Sequence, residues 1–275
     1  MKILYKLIFI IIILNLQSCS KGKEKVTKIT TPSQELELTK TYKEALEALN
    51  TNDPYYAAKK FLESELTYPQ SLWAGKSALM ASYSYYLQEN FVDARFHLER
   101  YLRTYPNDKN KAYAHYLIAM THYETIVDEK TDLKPLINAK SKFNEIIKNY
   151  PNTEFAIDAK YKINYINEVL AAKEMYLGRY YLKKQKWIPA INRFKNILRE
   201  YETSIYTQEA LHRLVEINYR IGLIDESKKY AILLGYNYAS SKWYKETYLI
   251  YNKDYAKPAI KKEKNGIIKK FKDLF

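Results

Sequence analysis

The stretch Ala139–Pro151, AKSKFNEIIKNYP, contains the pattern that decides the fold. A small residue comes first, a large apolar residue (Phe143) follows four positions later, and a proline follows eight positions after that. The same order recurs along the chain, although two copies lack the proline. The matching sets are Ala57, Phe61 and Pro69; Ala94, Leu98 and Pro106; Ala190, Phe194 and Glu202; and Ser227, Ala231 and Ala239. Recurrence on this scale indicates a repeat architecture.

Each position has a mechanical reason in a helix-turn-helix unit. The small residue lets two helices approach closely, and the larger one fills the space between successive hairpins. The proline ends the second helix because it has no N–H to donate. We therefore predict an all-α solenoid of about five tetratricopeptide-like helical hairpins. The recurrent prolines and the lack of sustained heptads count against a coiled coil.

The repeats are not evenly spaced. Pro69 and Pro106 are 37 residues apart, whereas Pro106 and Pro151 are 45 apart, and Pro151 and Glu202 are 51 apart. We expect an insertion around Asp128–Pro135 to account for the first excess. Lengthened helices between Thr153 and Lys184 would account for the second.

The composition fits helices that carry solvated charged faces. Only 6 Gly and 8 Pro occur in 275 residues, too few for the many turns of a β-sandwich or barrel. The formal net charge is +14, but lysines are spread along the chain, and only residues 253–275 form a dense basic block. Solvated helix faces are thus the first interpretation, attraction to a membrane surface the second and nucleic acid a distant third, so we expect no nucleic-acid partner. The tail could also form an amphipathic helix, although a solvated tail is the simpler expectation.

The N-terminus has the order of a secretory signal. Lys2 and Lys6 flank the start of an apolar run, Leu7–Leu14, that is too short to span a bilayer as a helix. Leu16-Gln17-Ser18-Cys19 follows and is similar to the lipobox of bacterial lipoproteins, which implies a lipid on Cys19, the only cysteine. The alternative is a plain secretory signal or short anchor with an incidental cysteine. We predict a signal peptide over 1–18, a lipidated cysteine and polar tether over 19–37, the solenoid over 38–252 and a basic tail over 253–275.

No catalytic or metal-binding constellation is evident. The four histidines have no suitably spaced partners, although His115 and His122 lie on one predicted helix face, and partly buried or groove-lining roles fit them better. Glycine-rich phosphate loops and nucleophile elbows are missing from the sequence. We expect neither an enzyme nor a cofactor beyond the covalent lipid on Cys19.

Taken together, the lipobox, tether and irregular hairpins resemble the BamD family of lipoproteins, also called ComL or YfiO. The resemblance is carried by Tyr150–Lys162, by Ala172–Tyr176 with Tyr180-Tyr181, by Trp187–Arg193 and by Ser241–Tyr244. It implies a scaffold on the periplasmic face of the outer membrane. Such a scaffold docks on the POTRA domains of the barrel-forming subunit BamA and helps to receive and insert unfolded outer-membrane proteins.

The resemblance also implies roles for particular residues. Trp187 and Arg193 match a segment that faces BamA, where Arg193 would pair with a carboxylate of the partner; an intramolecular or solvent-facing ion pair is an equally weighted alternative. Tyr68 is the candidate for a client-binding groove, with a core or capping role as its alternative. Pro189, within the matched segment, departs from the family pattern.

Two other functions fit the same sequence features. The protein could be a different tetratricopeptide-type envelope lipoprotein that coordinates cell division or export. It could also be an accessory of murein enzymes, against which the lack of a catalytic constellation counts.

Overall fold

The computed structural model describes residues 32–67, 69–125 and 132–252, and the regular elements in these ranges are eleven α-helices. In chain order they are α1 (Pro32–Asn50), α2 (Pro54–Thr67), α3 (Ala74–Leu87), α4 (Phe91–Thr104), α5 (Lys111–Tyr123), α6 (Lys134–Asn149), α7 (Glu154–Lys183), α8 (Trp187–Glu200), α9 (Thr207–Arg220), α10 (Ile224–Tyr238) and α11 (Lys242–Tyr251).

The helices pack as five hairpins, α1–α2 through α9–α10, followed by α11. Each helix contacts the next one along the chain, and α11 also packs on α9. First helices of neighbouring hairpins touch as well, α3 with α5 and α5 with α7. This succession of nearest-neighbour contacts confirms the predicted all-α solenoid of five tetratricopeptide-like hairpins.

The repeated anchor residues lie where the pattern predicts. The small anchors of the first four hairpins sit in the second helix and are fully buried, as are the large anchors four positions later: Ala57, Ala94, Ala139 and Ala190; Phe61, Leu98, Phe143 and Phe194. In the fifth hairpin Ser227 is fully buried, and its hydroxyl donates to the backbone oxygen of Val215 in α9 at 2.9 Å. A buried serine is thus accepted there because its polar atom has a partner in the preceding helix.

The second helices α4, α6 and α8 each end one residue before a tyrosine, which is the C-cap and precedes the predicted stop. The N–H groups of Tyr105, Tyr150 and Tyr201 each donate to the carbonyl four residues earlier, at 2.8, 2.8 and 2.9 Å. The residue that follows is a proline in two cases and Glu202 in the third, so proline accompanies the stop without being required for it. Thr153 caps α7, since its hydroxyl accepts from the N–H of Ala156 at 3.3 Å. The N-cap residues of α3 and α5, Trp73 and Asn110, make no such side-chain hydrogen bond.

The irregular spacing has the predicted causes where the structure describes them. The helix α7 is 30 residues long and covers the range assigned to lengthened helices. Ten residues, 124–133, separate α5 from α6, and positions 126–131 of this connection lie outside the described residues. The first helix begins at Pro32 rather than at position 38. A proline loses no hydrogen bond in the first turn, where N–H groups have no helical partner.

The core divides into four clusters along the solenoid. One lies among α1, α2 and α3, and the next among α3, α4 and α5. Ala156, Ala159, Ile166 and Leu170 place the N-terminal part of α7 in a third cluster with α5 and α6. Met175, further along α7, belongs to a fourth cluster with α8 and α9. The long helix therefore joins the two C-terminal clusters.

Among the described residues, no helix is both long and apolar enough to cross a membrane. The predicted signal peptide over 1–18, Cys19, Tyr68 and the basic tail over 253–275 lie outside the described residues.

Candidate partner-binding surfaces

Trp187 and Arg193 lie at the junction of α7 and α8. Trp187 is the first residue of α8 and packs, partly buried, against the cluster that contains Phe194. Arg193 Nη1 donates to Oε1 of Glu174 in α7 at 2.9 Å, and the other oxygen of Glu174 accepts from Asn196 Nδ2 at 3.3 Å. The structure thus shows the intramolecular ion pair that was one of the two alternatives for Arg193.

The ion pair with Glu174 leaves other N–H donors of the Arg193 guanidinium available. An arginine carries five N–H donors, and this contact engages Nη1. The Arg193 side chain keeps 37% of its surface exposed, against 16% for Glu174. Glu174 therefore holds the head of Arg193 in one orientation while part of it still faces solvent.

Pro189 fits α8 without distortion. It is the third residue of the helix, after the N-cap Lys186. The first four N–H groups of a helix have no partner within it, so proline loses no hydrogen bond at this position. The departure from the family pattern leaves the junction helical.

A buried ion pair fixes α7 to α9 one turn further along. Glu209 is almost fully buried and accepts from Arg179 Nε at 2.9 Å and from Arg213 Nε at 3.4 Å. Burial by itself raises the pKa of the Glu209 carboxyl, but the hydrogen bond and charge of Arg179, with the charge of Arg213, outweigh it and hold the pKa below its ordinary value. The Glu209 carboxylate is therefore ionised, and Arg179 and Arg213 balance its charge.

A similar buried ion pair joins α2 and α4, the second helices of the first two hairpins. Glu65 of α2 is buried and accepts from Arg100 of α4 through both oxygens, at 2.7 and 2.5 Å. The Tyr105 hydroxyl also donates to Glu65 Oε1, at 3.0 Å. Bidentate pairing of this kind fixes direction as well as distance. The first two hairpins are thus held in one relative position.

A groove of 580 Å³ lies between α2 and α3. Its lining combines apolar and charged side chains: Tyr55, Lys59, Leu62, Glu63, Leu66, Thr67 and Tyr85. Tyr85 is fixed in place by stacking on His97, with ring centroids 4.7 Å apart. Tyr68 follows the last groove residue of α2 and lies outside the described residues, so the candidate groove residue that the sequence singled out stays a prediction.

None of these lining residues was predicted from the sequence, although the sequence contains a signal for part of them. Tyr55, Lys59, Leu62 and Leu66 follow the i, i+4, i+7, i+11 spacing of one helix face. Part of that face packs in the core, where Leu62 contacts the cluster with Phe61. The spacing alone gives no sign that Tyr55 and Leu66 are left exposed, because exposure depends on how α3 packs on α2.

A second exposed aromatic surface runs along the length of α7. Ile157, Tyr161 and Tyr165 are exposed on successive turns of its N-terminal half, and Tyr176 and Tyr180 continue the exposure in its C-terminal half.

The histidines take structural positions. His115 and His122 are partly buried on α5, as predicted, and burial lowers the pKa of each imidazole. In the described parts of the chain, no group of three or more His, Cys, Asp or Glu side chains is placed to hold a metal ion.

Comparison with known proteins agrees with the resemblance. A family model described as an outer membrane lipoprotein, YfiO, matches residues 34–233. The outer membrane protein assembly factor BamD of Caulobacter vibrioides is 35% identical, over 89% of this chain and 80% of its own length. BamD of Rickettsia prowazekii is 37% identical, over 83% of this chain and 89% of its own length. BamD of Neisseria gonorrhoeae is 29% identical over 68% of this chain.

The family model spans most of the chain, including the α7–α8 junction and the N-terminal groove, and two relatives exceed 30% identity over more than four fifths of it. The chain belongs to the YfiO family of outer-membrane lipoproteins, the family of the BamD assembly factors.

Proposed function

We propose that this protein is a lipid-anchored scaffold of the machinery that assembles outer-membrane β-barrel proteins, and that it acts by binding proteins rather than by catalysis. The observation that carries the proposal is the 35–37% identity to BamD assembly factors over 83–89% of the chain. The hairpin solenoid supports it, since stacked hairpins present extended surfaces for protein binding.

Anchoring at the periplasmic face of the outer membrane belongs to the same proposal. Acyl chains on Cys19 would hold the solenoid at the membrane, since each buried methylene contributes about 0.8 kcal/mol. Ser20 follows the cysteine, and it lacks the acidic character of an inner-membrane retention signal.

The α7–α8 junction is the proposed docking surface for the POTRA domains of BamA. Trp187 is anchored in the core beneath it, and Arg193 presents exposed guanidinium donors in an orientation held by Glu174. A carboxylate of the partner could accept from those donors while Glu174 keeps its own contact. Arg193 would thus contact Glu174 within the chain and a carboxylate of the partner at the same time.

The groove between α2 and α3 is the proposed receiving surface for unfolded outer-membrane proteins. Its exposed Tyr55 and Leu66 offer apolar contacts, and Tyr85 offers a ring held rigidly by His97. Such a lining suits an extended segment with alternating aromatic residues, because it imposes no single hydrogen-bond pattern.

The test is a pull-down of the native, detergent-solubilised protein from its own envelope, followed by mass spectrometry. We expect a POTRA-bearing barrel protein in near-stoichiometric amount. Arg193→Glu should lower its recovery about tenfold. Arg199→Glu is the matched control, because Arg199 lies on the same helix and pairs with its neighbour Glu200. Recovery of a cell-division, export or murein complex in place of a barrel protein would overturn the proposed function.

A further inference from the structure

The two helices of a hairpin are joined by the same tight turn wherever the structure describes that turn completely. Its middle residue has a positive φ in each case: Asn52, Glu89, Gln185 and Gly222. The residue after it donates its N–H to the carbonyl five residues earlier, at 2.8 to 3.1 Å. We call the three residues centred on this position the tip of the hairpin: residues 51–53 in the first, 88–90 in the second, 184–186 in the fourth and 221–223 in the fifth. Because polar residues adopt this turn in three hairpins, the fold does not require apolar side chains at a tip.

The fifth tip is nevertheless apolar and open to solvent. Ile221 and Leu223 are 37% and 50% exposed, and Tyr219 and Ile224 on either side are 38% and 37% exposed. A Cβ added to Gly222 would meet no atom within 4 Å. The first and second tips have the sequences TND and QEN instead. A contiguous exposed apolar patch that the turn itself does not explain indicates a binding surface.

The neighbouring fourth tip is basic. Lys184 and Lys186 flank its middle residue, and Lys183 precedes them. All three side chains are exposed. Whereas Arg193 pairs with Glu174, these three lysines form no ion pair with any residue that the structure describes. Their ammonium groups are thus available to an external anion.

The fourth and fifth tips lie side by side at one edge of the solenoid. Leu182 and Trp187, which border the fourth tip, pack in the same core cluster as Ile217 and Tyr230, which lie near the fifth. The first and second tips contain no lysine, so the combination of apolar and basic tips is confined, among the described tips, to the C-terminal hairpins.

The acids near these two tips do not balance the lysines. Glu226 follows the fifth tip but pairs with Lys229 at 2.5 Å. Arg220, which precedes the same tip, pairs with Glu216 at 2.7 Å. Asp225 is therefore left against the three lysines of the fourth tip, and the edge carries a net positive charge.

Unpaired lysines beside exposed apolar side chains fit an anionic lipid surface. A lysine ammonium is a point charge on a flexible stem, so it needs no fixed geometry in its acceptor, and mobile phosphate headgroups offer none. Arg193, in contrast, is held in one orientation by Glu174, which suits a single carboxylate of a protein. Apolar side chains at the end of a turn can enter the headgroup region, where their burial adds to the electrostatic attraction.

We propose that the fourth and fifth tips rest on a surface of anionic phospholipid. Lys183, Lys184 and Lys186 contact phosphate groups, and Ile221 and Leu223 enter the headgroup region. This contact fixes the orientation of the solenoid relative to the membrane, which an N-terminal acyl anchor alone does not do. The inference goes beyond the scaffold role and takes from the proposed function only the membrane anchoring of the chain.

The test measures the immersion of a spin label on the full lipidated chain in nanodiscs. Cys19 is the only cysteine and is acylated in the proposed form, so Leu223→Cys gives a single site for the label. Mass spectrometry verifies the acyl chains before labelling, which keeps a failure of the proposed anchoring distinct from a failure of the tip contact. When phosphatidylglycerol is added to discs of phosphatidylcholine, we expect the accessibility of the label to oxygen, relative to a water-soluble nickel chelate, to rise at least about threefold. Val92→Cys, an exposed apolar position of α4, is the matched control and should show no rise.

The lysines are tested by removing their charges together in the labelled chain. Each lysine near an anionic surface contributes about fivefold to the association, so three contribute about a hundredfold, and the combined change to glutamine should abolish the rise. The variant is Lys183→Gln, Lys184→Gln and Lys186→Gln. The matched control removes three exposed lysines from the opposite edge of the solenoid and should leave the rise unchanged: Lys109→Gln, Lys111→Gln and Lys148→Gln.

Four results would overturn the proposal. A label at position 223 that stays equally accessible to the nickel chelate with and without phosphatidylglycerol would show that the tip does not touch the bilayer. Equal immersion in phosphatidylcholine alone would show that negative charge plays no part. A rise that persists in the variant without the three lysines would exclude them as its source. An effect that grows with the number of chains per disc would assign the tips to a contact with a second copy.

Discussion

A Cβ added to Gly178 would lie 2.5 Å from Cε1 of Phe194, so α7 and α8 approach each other closely at this pair of residues. Alanine at a helix-interior glycine ordinarily stabilises by about 0.5–1 kcal/mol. Here we expect Gly178→Ala to lower the free energy of unfolding by about 1–3 kcal/mol, because the fully buried Phe194 ring has no room to move. Urea denaturation measures the change. A gain in stability would show that the helices can separate without cost.

The Arg100–Glu65 pair should be critical to the first two hairpins. Arg100→Met leaves Glu65 buried without its cation, and we expect a loss of about 3 kcal/mol in the free energy of unfolding. Arg103→Met is the matched control, because Arg103 lies on the same helix with 66% of its side chain exposed and should cost at most about 1 kcal/mol. Combining Arg100→Met with Glu65→Gln should recover part of the loss. Equal effects of Arg100→Met and Arg103→Met would contradict the role assigned to the buried pair.

The stability of the fold should fall as the pH drops below the ordinary pKa of histidine. Burial, followed by the charge of Arg213, lowers the pKa of His212, and burial also lowers the pKa of His97, His115 and His122. Because the unfolded chain then binds protons more readily, stability is full above pH 6.5 and is lost as the pH falls toward the folded-state pKa values.

His212 provides a specific check of that pH dependence. Its Nδ1 lies 2.8 Å from Oγ1 of Thr247, a contact that links α9 to α11, and Arg213, Glu216, Glu246 and Glu209 contribute charge around it. We expect His212→Gln to reduce the drop in Tm between about pH 7.5 and pH 5, whatever its effect at neutral pH. An unchanged drop would assign the pH dependence to the other histidines.

Glu174 should act as a positioning residue for Arg193. Glu174→Gln removes the ion pair but leaves Arg193 in place, so we expect partner affinity to fall by about two- to fivefold, less than for Arg193→Glu. Affinity for the isolated POTRA domains can be measured by calorimetry. Tighter binding by Glu174→Gln would instead show that Glu174 competes with the partner for the guanidinium.

The groove between α2 and α3 can be tested with peptides from an outer-membrane β-strand. Removing the exposed side chains together, Tyr55→Ala with Leu66→Ala, should weaken peptide binding about tenfold or more, because both offer large apolar contacts. Ile157→Ala with Tyr161→Ala, two exposed residues of α7 outside the groove, is the matched control. Equal losses for the two pairs would indicate non-specific apolar adsorption.

The fold could be predicted from the sequence because the residues that determine it recur at regular positions in successive hairpins. Ala139 and Phe143 mark contacts that recur in the first four hairpins, where the structure buries both anchors as predicted, whereas in the weaker fifth copy Ser227 is buried and Ala231 only partly so. The start of α1 was placed six residues late, at 38 instead of Pro32, because polar residues without apolar periodicity give no signal for a helix.

The candidate binding surfaces were harder to predict from the sequence. The role of Arg193 toward BamA stays a prediction, and its pairing with Glu174 depends on the angle at which α8 crosses α7, which no spacing in the sequence records. The same holds for Tyr55 and Tyr85, which lie on different helices and meet only when α2 packs on α3. Local patterns predict elements, and surfaces between elements require the packing itself.

The length of α7 constrains how the protein can change. At about 1.5 Å per residue, its 30 residues form a rod of roughly 45 Å that belongs to two core clusters at once. Inserting or deleting one residue would rotate everything after it by about 100° relative to the N-terminal hairpins. Changes of about 7 or 11 residues, by contrast, nearly complete whole turns. Length variants of this helix should therefore favour such steps, since a single-residue change would turn the surface around Arg193 by about 100° relative to the N-terminal groove.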